Sequence, residues 1–592
     1  MTSIDSQLPS FEDFFRALWN KDPFPWQFLL AQRVTAENWP KIISLPTAAG
    51  KTACIEIALY ALAAQANQAP AARTAPRRIW FVVDRRIVVD AAYDRARCIA
   101  QELALATEGP LHQVAQRLRA ISGTDHPLVV SRLRGGVSDD AAWARLPSQV
   151  SVITSTVDQL GSRLLFRNYA ATQLTAPIHA ALAAHDSLIL LDEAHCSAPF
   201  AQTLDAIQLY RGECWAESPL NTPFAFVLLS ATPRSGLEQA DIFPGPDVQQ
   251  ALDHPLLRAR IFASKPARLF PLPHKLKTDE DPLVAKTQEL VAEYIRQGCL
   301  RTAVIMNRVR TAQLVAEGLQ ATQPDIDVIL VTGRLRPIER DALIDAWLPY
   351  LRAESPRTPQ MPLVVVSTQC LEVGADFSFD GLITEAASLD ALRQRFGRLN
   401  RLGTSSNASA AILIRERDIN SRDEDPVYGK ALSRCWKLLE ELAPTSASHE
   451  HVDFGIHALN TALSSIPTET LEDCAAPAPD APALLPAHLD LLCQTAPPPA
   501  IEPEVSLYLH GRDRSVPEAY LVWRADLTPD NRSIWPEAVS LCPPLAGELL
   551  SVPLYRIRSW LGAPDSPDDT HDVEGSLQQQ LPEAAAANRP FL

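Results

Sequence analysis

Several things are missing from this 592-residue chain, and each absence excludes something. No stretch stays apolar for the ~18 residues that a membrane-spanning helix needs. The nearest candidate, Ala53–Ala64, is shorter and carries Glu56. Met1–Ser10 lacks a basic segment followed by an apolar one, so no secretory leader is expected. The ten cysteines are scattered without a Cys-x-x-Cys pair, which suits reduced thiols and argues against a structural zinc. No short-period repeat is visible. These absences predict a cytoplasmic protein with no membrane association. At 46% hydrophobic and 21% charged, the composition is globular, with length for about three or four domains.

Excess positive charge is also lacking. The formal net charge of −16 looks wrong for a nucleic-acid partner. Its distribution corrects that impression: residues 405–592 hold 13 basic and 28 acidic side chains, whereas the first 404 residues hold 41 and 42. The acidity belongs to the last third, and the front part is free to carry a local basic track for phosphates.

What is present is organised around Ser44–Thr52. The apolar Ile42–Ile43 reads as a short buried strand, and Ala53–Ala64 as a helix packed in a core. A strand passing through a loop that ends Gly50–Lys51–Thr52 into a helix is the layout of a phosphate-binding loop. Its backbone N–H groups face an anion, Lys51 supplies positive charge to the β- and γ-phosphates, and the Thr52 hydroxyl suits Mg²⁺. Gly50 allows close backbone approach. The full pattern asks for a first glycine where Leu45 stands. The other reading is an ordinary strand–turn–helix with a surface lysine.

In chain order, Phe11–Asn20 reads as an amphipathic helix leading into Asp22–Pro23–Phe24–Pro25–Trp26–Gln27. Gln27 suits either an adenine edge or a surface amide on a packed turn. Gln65–Pro76 reads as a loop, and Arg78–Val83 as a strand ending in Asp84–Arg85–Arg86 before a helix over Ile87–Leu105. Those arginines suit a nucleic-acid backbone or a helix cap. Val150–Ile153 is the next strand and runs into Thr154–Ser155–Thr156, hydroxyls suited to phosphate contact or to N-capping.

Ser187–Leu191 is a fully apolar strand ending in Asp192–Glu193–Ala194–His195. One carboxylate there can hold Mg²⁺ and its neighbour can deprotonate an attacking water. Phe224–Leu229 is another strand, ending Ser230–Ala231–Thr232. Lys265–Leu276 reads as a linker. A second alternating set follows, with strands at Thr302–Met306, Asp327–Val331, Pro362–Val366, Gly381–Thr384 and Ala410–Ile414 and helices such as Pro282–Gln297 and Thr311–Ala321 between them.

This second set carries Ser367–Thr368–Gln369, Glu372–Asp376 and Leu392–Arg401. On one continuous helix Gln394, Arg398 and Arg401 share a face that suits a γ-phosphate approached from a second domain; a solvated basic helix is the plainer alternative. Leu432–Leu442 reads as a helix. Pro467–Pro503 reads as a Pro-rich linker with a helical insert at Ala487–Leu492, Val505–His510 and Ala519–Trp523 as strands, and the stretches from Asp565 and from Gln578 as a loose tail.

The order of these segments over about residues 20–415 resembles a superfamily 2 helicase. The resemblance implies an α/β fold of two tandem RecA-like domains, parallel sheets flanked by helices, plus an acidic, Pro-rich C-terminal accessory region. The expected boundaries are 1–264, 277–415 and 416–592, with ATP in the cleft. It assigns the adenine contact to Gln27 and the phosphate loop to Thr47, Ala48, Ala49, Gly50, Lys51 and Thr52. Thr52 and Asp192 become the Mg²⁺ anchors, Glu193 the catalytic base, and Ser230 and Thr232 the coupling motif. Gly374 and Asp376 become the nucleotide-sensing loop, and Gln394, Arg398 and Arg401 the water-orienting residue and arginine fingers. Ala48 departs from the glycine usual at that position, which puts phosphate affinity in doubt.

Within the superfamily, Phe81–Arg86, Ser367–Asp376 and Gln394–Arg401 are similar to the CRISPR-associated helicase of type I systems. Leu485–Leu489 and Leu509–Gly511 are similar to its I-U (I-G) branch. That family implies single-stranded DNA and an RNA-guided surveillance complex as partners, with Arg85, Thr156, Thr332 and Thr368 as candidate DNA contacts. Many members carry an HD nuclease, which needs several converging histidines and aspartates. His185–Asp186 reads instead as a strand-entry turn, His571–Asp572 has too little chain after it, and His449, His451 and His457 near Asp453 have no matching partner. The nuclease is therefore expected to be absent, truncated away or encoded as a separate HD nuclease.

Overall fold

The structure, a computed structural model, describes residues 8–562 apart from 70, 84–85, 135–141, 169–171, 220, 231–240, 246–251, 274–280, 356, 373–375, 406–407, 421–423, 444–450 and 513–517. Two seven-stranded sheets dominate. The first contains β1 (Ile42–Ser44), β2 (Arg78–Val83), β3 (Val129–Leu133), β4 (Ser151–Thr156), β5 (Ser187–Asp192), β6 (Phe224–Ser230) and β7 (Ile242–Phe243). Their order is β3-β4-β2-β5-β6-β1-β7, parallel throughout. The second contains β8 (Pro266–Leu272), β9 (Arg301–Ile305), β10 (Asp327–Val331), β11 (Leu363–Ser367), β12 (Gly381–Glu385), β13 (Ser409–Arg415) and β14 (His451–Asp453). Their order is β10-β11-β9-β12-β13-β8-β14, the same order counted from β8, with β14 antiparallel.

Central strands such as Ser187–Leu191 are apolar on both faces because helices cover both faces of each sheet. The first sheet separates two apolar cores, one around Trp26, Leu59 and Phe81 and one around Trp80, Trp143 and Phe200. The second sheet does the same, with Trp436 and Phe396 on one side and Tyr294 and Met306 on the other. These are two tandem RecA-like α/β domains. Among the described residues, no helix is long and apolar enough to cross a membrane.

Several expectations change. Lys265–Leu276 is not a linker, because Pro266–Leu272 is β8, paired with β13 along its length. Its prolines are tolerated because Pro266 begins the strand and Pro271 lies beyond the three residues that β14 pairs. The second sheet therefore takes in residues on both sides of 277–415, and its last strand comes from the accessory region. Val505–His510 is a helix, not a strand. Tyr508 and Leu509 are both buried against the first domain, and adjacent residues of a strand would point to opposite faces. Ala519–Trp523 corresponds to β15 (Glu518–Leu521), paired with β16 (Leu550–Pro553). The tail stretches from Asp565 and Gln578 lie outside the described residues.

The accessory region straps the two domains together. It packs on the second domain through the helix Ala431–Leu442, β14 and Cys474, and then returns to the first. There Thr203 Oγ1 donates to Tyr508 O at 2.6 Å and Tyr210 Oη donates to Leu484 O at 2.5 Å. Arg167 donates to the carbonyls of Leu491, Leu492 and Gln494 and pairs with Glu502 at 2.6 Å. Gly161 is required for this approach, since a Cβ there would stand 2.3 Å from Leu509 Cδ2.

Candidate active site

Parallel strands deliver their following loops to one edge of the sheet, where β5, β6 and β1 lie side by side. From β1 the chain enters the Pro46–Gly50 loop and then a 3₁₀ turn, Lys51–Ala53, that opens the helix Cys54–Ala64. Gly50 has φ +81°, and a Cβ on it would meet Gln27 Nε2 at 3.3 Å. Ala48 has φ +62°, a conformation that strains an L-residue. Three consecutive loop carbonyls are held from outside. Arg260 donates to Ala48 O at 2.5 Å, Trp26 Nε1 to Ala49 O at 3.0 Å, and Gln27 Nε2 to Gly50 O at 3.5 Å. Gln27 is buried in the helix Pro25–Ala36, where its Oε1 also accepts from Phe24 N. It is therefore not a surface amide.

Lys51 is also not the surface lysine of the plainer reading. It is 8% exposed, and its Nζ is buried with no hydrogen-bond partner among the described residues, 3.7 Å from Glu193 Oε1. Such a cation is poised for an anion. Thr47 and Thr52 flank the same loop, half-buried, and Ala49 is buried beneath it.

Asp192 ends β5, and its Oδ1 accepts from Glu193 N at 3.1 Å. Burial pushes the Asp192 carboxyl up to about 6 against the pull of Lys51, with Glu193 adding repulsion. Burial also opposes ionisation of Glu193, but Lys51, His195, Arg398 and Arg401 outweigh it and hold that carboxyl below its ordinary value. Glu193 sits at φ +48°, and its Oε2 is buried without a hydrogen-bond partner. Among the described residues no group of three or more His, Cys, Asp or Glu assembles as a metal site. Asp192 and the Thr52 hydroxyl nonetheless form an all-oxygen donor set of the kind a hard dication takes.

The second domain completes the site. The helix carrying Gln394 spans Leu389–Phe396 and stops there, so Gln394, Arg398 and Arg401 do not share one helical face. Turns bring them together instead: Arg398 N bonds Arg395 O, Leu399 N bonds Phe396 O, and Asn400 adopts φ +40°. The Gln394 amide hydrogen-bonds His195 Nε2 across the cleft and lies 3.7 Å from Cys196 Sγ. Arg398 is buried and donates to Glu372 O at 3.0 Å. Burial, then Arg401, lower it to about 9, while Glu193, Asp376 and Asp192 oppose. Arg401 pairs with Asp376 at 2.8 Å.

Arg395 belongs to the fold rather than to the site. Fully buried, it donates to Glu372 Oε1, Thr384 Oγ1, Glu385 O, Asn307 Oδ1 and Tyr428 Oη. A solvated basic helix is thereby ruled out for this stretch.

Ser230 ends β6 and is buried, and its carbonyl accepts from Leu45 N at the entry to the phosphate loop. Thr232, Gly374 and Arg85 lie outside the described residues. Thr156 is buried and caps the helix Val157–Leu164 by accepting from Gln159 N. Thr332 is buried and accepts from Arg334 N, and Thr368 is buried beside Cys370. These hydroxyls have local roles. His185 and Asp186 form a strand-entry turn, Asp186 taking Arg73 and Arg77. Asp453 is committed to Lys265 N, Gly455 N and Ser264 Oγ, and His457 packs on Phe262. His449 and His571–Asp572 lie outside the described residues.

Sequence reasoning missed Trp26, Arg260 and the role of His195. The Pro-flanked tryptophan was a signal for the first and the Asp-Glu-Ala-His run for the last. Nothing local marked Arg260.

Comparison with known proteins agrees with this geometry. Residues 31–240 match the DEAD/DEAH box helicase family, and residues 299–404 match the C-terminal region of the CRISPR-associated nuclease/helicase Cas3 family. A CRISPR-associated nuclease/helicase Cas3 of Haloferax volcanii is 36% identical over 77 residues, 13% of this chain and 8% of that one. A Methanocaldococcus jannaschii protein named for the same family is 30% identical over 142 residues, 22% of this chain and 18% of that one. The matched segments thus span less than a fifth of either relative. The crystal structure of T. fusca Cas3-AMPPNP superposes with a TM-score of 0.55 at 17% identity, covering 93% of this chain and 66% of that chain, and shares the fold. The chain thus has a segment similar to DEAD/DEAH box helicases followed by one similar to the C-terminal region of the Cas3 family.

Proposed function

We propose that this chain of two Cas3-like helicase domains is an ATP-driven DNA helicase or translocase of CRISPR type I antiviral defence. One observation carries the reading: the buried Lys51 ammonium, without a hydrogen-bond partner, faces Glu193 in a cleft that Gln394 and Arg398 close from the second domain. That constellation suits a nucleoside triphosphate bound between two domains.

On this reading the loop N–H groups and Lys51 hold the phosphates. Glu193, ionised beside its cations, accepts a proton from a water whose oxygen attacks the γ-phosphorus as the bond to ADP breaks. Arg398 and Arg401 take up charge developing on the transferred group, and Gln394 aligns the water. Thr52 and Asp192 would hold Mg²⁺, which neutralises phosphate charge when bound. Gln27 contacts the base, Asp376 with Gly374 senses the nucleotide, and Ser230 with Thr232 relays its state.

Single-stranded DNA is gripped through its backbone by both domains around Arg85, Thr156, Thr332 and Thr368, so binding weakens with salt. An RNA-guided surveillance complex recruits the chain. The described His185–Asp186 pair is committed to a turn and takes no part in cleavage, for which a separate HD nuclease is the proposed partner.

The test is ATP hydrolysis with and without single-stranded DNA, RNA or duplex, beside a nuclease assay with Mn²⁺, Ni²⁺ or Co²⁺. Stimulation by single-stranded DNA without cleavage is expected. Stimulation by RNA or duplex alone, or cleavage by the purified chain, overturns the respective part.

A further inference from the structure

The helix Pro255–Phe262 joins the two sheets and packs on both domains, with Leu257 buried in the core of the first. A Cβ on Gly403, just after the arginine motif, would stand 2.2 Å from Ala259 O. A Cβ on Gly455 would stand 2.4 Å from Ala263 O, and the Phe262 and His457 rings lie 4.5 Å apart. From this seat Arg260 reaches back to the first domain. Its NH1 donates to Ala48 O at 2.5 Å, its guanidinium lies 5.7 Å from the Phe24 ring centroid, and its NH2 is 3.9 Å from Glu354.

Ala48 is the loop residue whose conformation most needs support. A methyl group at φ +62° is strained where glycine would not be. Rotation of the Ala48–Ala49 peptide relieves that strain, but it breaks the bond that Ala49 N–H donates to Pro46 O at 3.3 Å and so shifts the loop. A charged donor on Ala48 O opposes the rotation. Trp26 and Gln27, which hold the next two carbonyls, come from the loop's own domain.

We propose that Arg260 is a positioning residue for the phosphate loop. Carried by the helix that bridges the two domains, it keeps the loop in its anion-binding form, and it replaces at position 48 the freedom of a glycine. The proposal rests on the reading of the loop as the nucleotide site.

The test is a double-mutant cycle in the full chain. ATP hydrolysis is measured at saturating single-stranded DNA for the parent, Arg260→Gln, Arg260→Lys, Ala48→Gly and the Ala48→Gly/Arg260→Gln pair. Arg260→Gln raises KM for ATP about 10-fold with little change in kcat, as loss of one charge-assisted hydrogen bond to a binding loop predicts. Arg260→Lys recovers part of the loss, and in the Ala48→Gly background the penalty shrinks to within about 2-fold. An equal penalty in both backgrounds, a penalty in kcat alone, or none overturns the proposal. Thermal unfolding without nucleotide runs the same cycle independently of turnover. Arg260→Gln lowers Tm more in the Ala48 parent than in the Ala48→Gly background, and equal shifts overturn the proposal even if the chain hydrolyses no ATP.

Discussion

The two sheets share one strand order and put it to opposite uses. At the edge of the first, Lys51 Nζ and Glu193 Oε2 are buried and make no hydrogen bond among the described residues, the two side chains pairing only at 3.7 Å. At the same edge of the second, the strand-end acid Glu385 accepts from Asn307 N at 2.8 Å and pairs with Arg415 at 3.5 Å, and the neighbouring Arg395 is bonded on every side. A buried charge left open is held ready for a ligand at the expense of stability; a buried charge fully bonded is structure. Duplicated architecture thus separates into a half that reacts and a half that positions, and each arginine of the 393–401 stretch must be placed on one side of that line.

The sharpest way to break this contrast is to remove the open charges. Lys51→Ala or Glu193→Gln should reduce hydrolysis about 10³-fold, a loss far larger than the change in Tm from breaking the 3.7 Å Lys51–Glu193 pair accounts for. Retained turnover with a fallen Tm would put Lys51 among the structural charges. Removing the bonded charge should do the reverse. Arg395→Met leaves Glu372 buried without its cation and should destabilise the second domain by about 3–5 kcal/mol in denaturant titrations. The Arg395→Met/Glu372→Gln pair should recover part of that loss, and activity lost without destabilisation would move Arg395 into the site.

A smaller effect concerns the strap. Gly161→Ala drives a methyl into Leu509 and should loosen the helix Val505–His510 at a cost of about 1–3 kcal/mol, read as faster proteolysis beyond residue 475. Unchanged digestion would show that the strap yields without strain.

The smallest effect expected is a pH slope. Lys265 is buried, donates to Phe396 O at 2.8 Å, and is lowered from 10.5 to about 7 by burial and then by Arg401. Between about pH 7 and 10.5 the unfolded chain binds its proton and the folded chain does not, so stability rises with pH across that window. Below it both states are charged and the full penalty of burying the ammonium is present. Lys265→Met should flatten the rise in denaturant midpoint between pH 7 and 9; an unchanged slope would assign it to other groups.

Much of the site was readable because its chemistry is packed into short runs. Gly50–Lys51–Thr52 and Asp192–Glu193 each follow an apolar strand of a few residues, and both halves of that signal are local. The Gln394–Arg401 stretch was read correctly as facing the first domain but with the wrong geometry. Its helix ends at Phe396, and the turn that aims Arg398 is held by Glu372 O from a distant loop. Strand β8 was hidden by its prolines, which only the short reach of β14 makes acceptable. Val505–His510 was ambiguous over six residues until Tyr508 and Leu509 were both seen against the first domain.

The sequence by itself determined that there would be two α/β sheets and that the first would present a lysine and two carboxylates at its strand ends, because strand-forming runs and turn residues act over a few neighbours. Only the tertiary structure decided which charges remain open, which arginine is bonded into the core, and that Arg260 reaches from the bridging helix to the Ala48 carbonyl. Those outcomes depend on burial and on partners from 10 to 212 residues away, and desolvation of a charge is a property of the folded whole.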